Sequence, residues 1–208
     1  MDEKKIIVVG IGPGDEKFMT LAALEKIHSA KILVGGRRAL ESFATANQET
    51  FPVTKDIDAA INFISEKILE NQVVVMVSGD PGYYSMLDTL LKNFDAEIIE
   101  VIPAISALQY AFAKLALTWH DATLLSFHGR RPADEQLKFE TNKILGLLTD
   151  AEFNSATISQ ILLNLGWAKN SSLAICSRLS YPDEKIILTT LADAANAEPV
   201  KHCVLIVR

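Results

Sequence analysis

"QVVVMVSGDPG", residues 72–82, contains five apolar residues in a row, four of them valine, with no polar residue alternating among them. β-Branched side chains favour extended backbone, and a strand without polar alternation is one covered on both faces. The run stops at Ser78-Gly79-Asp80-Pro81-Gly82, residue types that turn the chain. A buried strand ending in such a turn points to an open α/β sheet, which binds ligands beyond the carboxyl ends of its strands.

The same rhythm extends to both sides. "KIIVVGIG" (5–12), "AKILVGG" (30–36) and "AEIIEVI" (96–102) read as further strands. Leu21, Leu24 and Ile27, with Ala22 and Ala23, form a helical stripe ending near Ser29. Asp56 can cap a helix that lines up Ile57, Ile61, Ile64 and Ile68. Helices are also predicted from about Ser85 to Lys92 and over 106–116. Alternating strands and helices imply a mostly parallel sheet with helices on its faces.

"LALTWHDA" (115–122) breaks that rhythm, so the expected division is an α/β domain over 1–117 and a second domain over 118–208. The second half offers strands at 122–127, 143–148, 172–177, 184–190 and 202–207, and one helix at 155–165. The last strands lie close together, with "SYPDE" between two of them, which predicts antiparallel pairing and a mixed α+β domain.

Apolar residues at 49% and charged residues at 22% describe an ordinary globular protein rather than a disordered one. A net charge of −6 argues against a sequence-blind nucleic-acid binder. Four of the six arginines stand in two Gly-Arg-Arg steps, at 36–38 and 129–131, which points to a local anion site. Cys176 and Cys203 lie inside apolar runs and read as buried thiols, with no metal-ligand spacing. "MDEKKIIVV" has no signal-peptide core and no apolar stretch has membrane length, so the expectation is a soluble, cytoplasmic protein.

Four stretches carry chemistry. Gly10-x-Gly12-Pro13-Gly14-Asp15 is like a dinucleotide turn, but Asp15 stands where that turn wants a glycine. Pro13 also lacks the N–H that a pyrophosphate would seek. The turn therefore suits a phosphate-free ligand, or is a plain strand-to-helix turn capped by Asp15. In Ser78–Tyr84, Asp80 offers an acceptor and Tyr83 and Tyr84 offer flat surfaces, as a cationic or polar aromatic ligand requires; the bland alternative is a β-turn. Pro103-Ala104-Ile105-Ser106-Ala107 either caps a helix with Ser106 or exposes backbone N–H groups to a ligand. In "WHDATLLSFHGRRP" (119–132), Trp119, His120 and Asp121 precede a strand and His128 follows it, with Arg130 and Arg131 as carboxylate forks; structural histidines and solvated arginines are the alternative.

In this order, "VVGIGPGD", "VSGDPGYYS" and "VIPAISALQYAFAKL" resemble the three motifs of the tetrapyrrole (corrin/porphyrin) methylase family, over essentially the whole chain. "LVGGRRAL", "TWHDATLLSFHGR" and "LSYPDEKI" are most similar to its cobalamin-pathway C-5 methyltransferase branch. The resemblance implies a two-domain α/β fold and S-adenosylmethionine as donor, a sulfonium without phosphate, held between the domains. It implies C-5 methylation of cobalt-precorrin-7 or precorrin-6Y. It places the cofactor on Pro13, Ser78, Gly79, Asp80, Tyr83, Ser106 and Ala107, with Leu148 and Thr189 from the second domain. Arg37, Arg38, Arg130 and Arg131 would bind substrate carboxylates, and His128, or else His120 or Asp121, would take a proton. A homodimer is implied, and a separate protein for C-15 methylation and decarboxylation is compatible with it. Two departures stand out. Gly36 replaces an acidic residue of relatives acting on uroporphyrinogen, and Ser177-Arg178 replaces the branch's Glu-Asn. The alternatives are a relative acting on porphyrin, protein or RNA, and a non-catalytic adenosine or nucleotide sensor.

Overall fold

The computed structural model describes residues 5–208, in two compact units, one up to Ser106 and one from Ala107 onward. The first unit contains β1 (Ile6–Gly10), α1 (Leu21–Ser29), β2 (Ile32–Gly36), α2 (Arg37–Phe43), β3 (Glu49–Val53), α3 (Ile57–Lys67), β4 (Val73–Val77), α4 (Leu87–Asn93) and β5 (Ile99–Ile102). Its sheet runs β3-β2-β4-β1-β5 and every pairing is parallel. All five strands therefore end on one edge.

β1 and β4 are buried along their whole length. Successive strand residues point to opposite faces, so each apolar run fills two cores. Val8, Val73, Val75 and Val77 pack with Ile61, Ile64 and Leu90, while Ile7, Val9, Val74 and Met76 pack with Ala23 and Ile27. Asp56 caps α3 by accepting from the Ala59 N–H at 3.0 Å, as its sequence position suggested. Neither β3 nor α2 stands out in the sequence. β3 contains Pro52, tolerable because β3 is an edge strand; α2 starts at Gly36 without a side-chain cap.

The second unit contains α5 (Ala107–Lys114), β6 (Ala122–Ser126), α6 (Asp134–Leu137), β7 (Ile144–Leu148), α7 (Ser155–Asn164), β8 (Ser172–Ser177), β9 (Lys185–Thr190), α8 (Leu191–Ala195) and β10 (Cys203–Val207). Its sheet runs β6-β7-β10-β8-β9, with β6–β7 parallel and the other pairs antiparallel. Leu145, Leu147, Leu173, Ile175 and Leu205 turn one face towards Ile158 and Leu162 of α7 and Leu191 of α8. On the other face α5 crosses Gly146, where a Cβ would lie 2.7 Å from Leu124 and 3.0 Å from Leu108 and Phe112. That close crossing puts α5 in the second unit, so the division falls between Ser106 and Ala107, where the sequence reading had it at 117/118. Among the described residues, no helix is long and apolar enough to cross a membrane.

Candidate functional site

Three loops meet at the carboxyl edge of the first sheet, after β1, β4 and β5, which are neighbours in it. Gly12 and Gly79 form an isolated antiparallel bridge: the Gly79 N–H donates to the Gly12 carbonyl at 2.8 Å and the Gly12 N–H to Gly79 at 3.3 Å. Both glycines sit in the left-handed region, with φ of 71° and 70°, where a side chain would be strained. Gly10 lies still closer, since a Cβ there would be 2.6 Å from Ala104 Cβ, 2.7 Å from the Gly79 oxygen and 2.8 Å from Pro81 Cδ.

Asp80 ties the second loop to the third. Its Oδ1 accepts from the Gly82 N–H at 2.8 Å and its Oδ2 from the Ala104 N–H at 2.9 Å. The carboxylate is thus a clamp between β4 and β5, and each oxygen keeps capacity for a further donor. Asp15 caps the short 3-10 turn Glu16–Phe18 through the Lys17 N–H and pairs with Lys17 Nζ at 2.8 Å. α1 takes its own cap from Thr20. Pro13 is half-buried in the first turn, Ser78 is exposed, and Ser106 is buried just before α5, whose first residue is Ala107. The Tyr83 ring meets the Tyr84 ring edge-on, and the Tyr83 hydroxyl is shielded from solvent without a hydrogen-bond partner among the described residues; burial pushes its pKa upward.

In the second unit, His128, Gly129, Arg130 and Arg131 follow β6 as an exposed turn. Arg131 pairs with Asp134 at 2.6 Å. Arg37 and Arg38 open α2 at the end of β2, on the same edge of the first sheet as the three loops. A side chain at Gly36 would meet no atom within 4 Å, so the start of this Gly-Arg-Arg step is open.

Some candidates are kept apart. His120 and Asp121, paired with each other at 2.9 Å, precede β6, whereas His128 follows it. Roughly 17 Å of strand separates the two positions, so Asp121 and His128 stand at opposite ends of β6. Leu148 and Thr189 occupy opposite faces of the second sheet. Thr189 pairs with Leu173 on the side of α7 and α8, while Leu148 neighbours Leu147 and so faces the α5 side. Thr189 therefore does not join Leu148 in one pocket. Arg178, at the Ser177-Arg178 departure, folds back on its own loop, donating to Asp183 at 2.9 Å and stacking over Tyr181 at 4.4 Å. Cys176 and Cys203 are buried thiols, their pKa values pushed up by burial to about 12 and about 11.

The sequence reading did not single out Asp150. Its Oδ2 accepts from the Gly129 N–H at 2.9 Å, and its Oδ1 from the Glu152 and Phe153 N–H groups at 2.9 and 2.7 Å. The Gly129 N–H, helped by those of Phe153 and Glu152 and by nearby His128, holds this carboxyl below the usual range against the opposing effect of burial.

A parallel sheet with three loops stitched at one edge, the first two rich in glycine and all three containing proline, joined in sequence to a mixed α/β unit, defines a two-unit α/β fold. The family model for Tetrapyrrole (Corrin/Porphyrin) Methylases matches residues 5–195, and the chain belongs to that family. The cobalt-precorrin-7 C(5)-methyltransferase of Salmonella typhimurium is 33% identical over 97% of this chain and 98% of its own. The probable cobalt-precorrin-7 C(5)-methyltransferase of Methanocaldococcus jannaschii is 32% identical over 93% and 92%. The uroporphyrin-III C-methyl transferase of Thermus thermophilus, solved with S-adenyl homocysteine, shares the fold at a TM-score of 0.78 and 21% identity, over 98% of this chain and 91% of its own.

S-adenosylmethionine is this family's methyl donor, and the loops fit it. Within 10–15, 78–84 and 103–106 the only charged side chains are Asp15 and Asp80. Asp15 is already paired with Lys17, which leaves Asp80 as the carboxylate these loops offer to a cationic, phosphate-free donor. The unpartnered Tyr83 hydroxyl is a polar group left for a ligand to satisfy.

Proposed function

We propose that this protein is an S-adenosylmethionine-dependent methyltransferase that methylates C-5 of cobalt-precorrin-7, or else of precorrin-6Y, in cobalamin biosynthesis. The observation that carries this reading is the stitched three-loop edge in a chain that matches cobalt-precorrin-7 C(5)-methyltransferases over nearly its whole length.

When bound, S-adenosylmethionine supplies a methyl group activated by its sulfonium. The chain contributes placement. Pro13, Ser78, Gly79, Asp80, Tyr83, Ser106, Ala107 and Leu148 line the cofactor, largely through backbone, and the Gly12–Gly79 bridge fixes the spacing of the first two loops. Arg37, Arg38, Arg130 and Arg131 hold the acetate and propionate groups of the macrocycle, for which guanidinium forks are suited. Arg131 exchanges its Asp134 partner for a substrate carboxylate. An imidazole nitrogen of His128, the exposed histidine at the carboxyl end of β6, takes the proton. Fixing nucleophile and methyl in line can lower the barrier by about 7–11 kcal/mol without a covalent enzyme intermediate.

Two partners belong to the same reading by family resemblance: a second copy in a homodimer, and a separate protein acting at C-15. Light scattering of the purified chain tests the first. The activity itself is tested by mass spectrometry after incubation with S-adenosylmethionine and cobalt-precorrin-7. The expected product carries one added methyl group. His128→Ala should lower turnover at saturating substrate about a hundredfold, in the usual range for a general acid–base group; unchanged turnover removes His128 from the mechanism.

A further inference from the structure

The turn after β6 is pinned at three successive backbone N–H groups. Phe127 donates to the Leu148 carbonyl at 2.8 Å, His128 to Ser126 Oγ at 3.1 Å, and Gly129 to Asp150 Oδ2 at 2.9 Å. Gly129 then turns the chain with φ of 67°, and His128, Arg130 and Arg131 leave the sheet exposed. Asp150 is itself well anchored. Its carbonyl accepts from His202, and the preceding residue, buried Thr149, exchanges two 2.8 Å hydrogen bonds with the Cys203 backbone. The carboxylate thus reaches from the β7–β10 core to the one turn that carries a histidine and two arginines.

We infer that Asp150 is a positioning residue for methyl transfer: by holding the Gly129 N–H it sets the direction in which His128, Arg130 and Arg131 meet the carboxylated macrocycle. This rests on the methyltransferase reading above. The geometry requires a carboxylate. Its two oxygens face different N–H donors, so an asparagine would turn an NH2 group towards one of them. A Cβ on Gly129 would meet nothing within 4 Å. Glycine is needed there for its backbone angle and not for space, so Gly129→Ala disturbs the turn without touching the core.

The test compares wild type, Asp150→Asn and Gly129→Ala in steady-state kinetics with cobalt-precorrin-7, alongside calorimetric titration with S-adenosylmethionine. Both variants should raise KM for the tetrapyrrole about tenfold or more, the scale of one lost charge-assisted hydrogen bond, while cofactor affinity stays within about twofold of wild type. A purely structural role would instead weaken cofactor and tetrapyrrole together. An unchanged tetrapyrrole KM, or a parallel loss of cofactor affinity, overturns the inference. If Asp150→Asn does not fold, Gly129→Ala decides the matter alone. An active wild type with indifferent variants sinks this inference only; a wild type that transfers no methyl group to the tetrapyrrole sinks the proposed function and this inference with it.

Discussion

The two sheets use the same device, an aspartate beyond a strand that captures an N–H from another strand's loop (across the intervening β1 in the first sheet, from the adjacent strand in the second), but they use it to different ends. In the first, Asp80 after β4 holds the Ala104 N–H after β5; in the second, Asp150 after β7 holds the Gly129 N–H after β6. The first sheet is wholly parallel, so adjacent strands deliver three loops to one edge, where Asp80 binds two of them together. The second is mixed, and among its pairs only β6–β7 is parallel. After β6 it presents a turn with the exposed side chains of His128, Arg130 and Arg131, to which the proposed function gives proton transfer and carboxylate binding. One clamp thus joins two main-chain loops to each other, and the other fixes the base of a charged turn.

The largest test of this contrast is Gly10→Ala. Its Cβ would sit 2.7 Å from a backbone oxygen as well as 2.6 Å from Ala104 Cβ. Main chain has little room to give, so the loops must separate. Overpacking of this kind costs about 1–3 kcal/mol or somewhat more, and S-adenosylmethionine affinity should fall about a hundredfold by calorimetry. Gly146→Ala is the counterpart in the second sheet. Its new contacts are with side chains, Leu124, Leu108 and Phe112, which yield in part. It should cost about 1–2 kcal/mol and lower Tm by roughly 2–8 °C. If Gly146→Ala abolished cofactor binding while Gly10→Ala spared it, the assignment of roles to the two sheets would be reversed.

Acid titration distinguishes Asp150 from an ordinary surface carboxylate. Its pKa in the folded protein lies below the unfolded value of about 3.9. Its stabilising contribution is therefore complete above the unfolded value and is lost as pH falls through the lower folded one. The gap in urea midpoint between wild type and Asp150→Asn should be open at neutral pH and should narrow once pH drops below about 3.9. A gap independent of pH would mean that the charge is irrelevant. The smallest effect concerns Ser159 on α7, buried with a hydroxyl that has no hydrogen-bond partner among the described residues. Ser159→Ala should stabilise by about 0.5–1 kcal/mol, seen as a higher urea midpoint with an unchanged slope.

What could be read in the sequence follows from how local each signal is. The apolar runs of β1 and β4 and the Asp56 cap depend on adjacent residues, and all were legible. β3 was hidden by Pro52 and by its polar, edge-strand residues. The clamps were not legible, because Asp80 and its Ala104 partner are 24 residues apart, and Asp150 and Gly129 are 21. Nor was the separation of Leu148 from Thr189, which depends on side-chain parity carried across β10 and β8. Gly146 appeared as one apolar-strand residue among others, since its need for a missing side chain arises only where α5 crosses.

Calorimetric titration of S-adenosylmethionine into wild type and Asp80→Asn tests most directly whether the stitched edge is the cofactor site. Asparagine cannot accept from both the Gly82 and Ala104 N–H groups while keeping its NH2 away from either. The expected result is one site in wild type and affinity at least about tenfold weaker in a folded Asp80→Asn protein. Equal affinity in the two, or no binding to wild type, would contradict it.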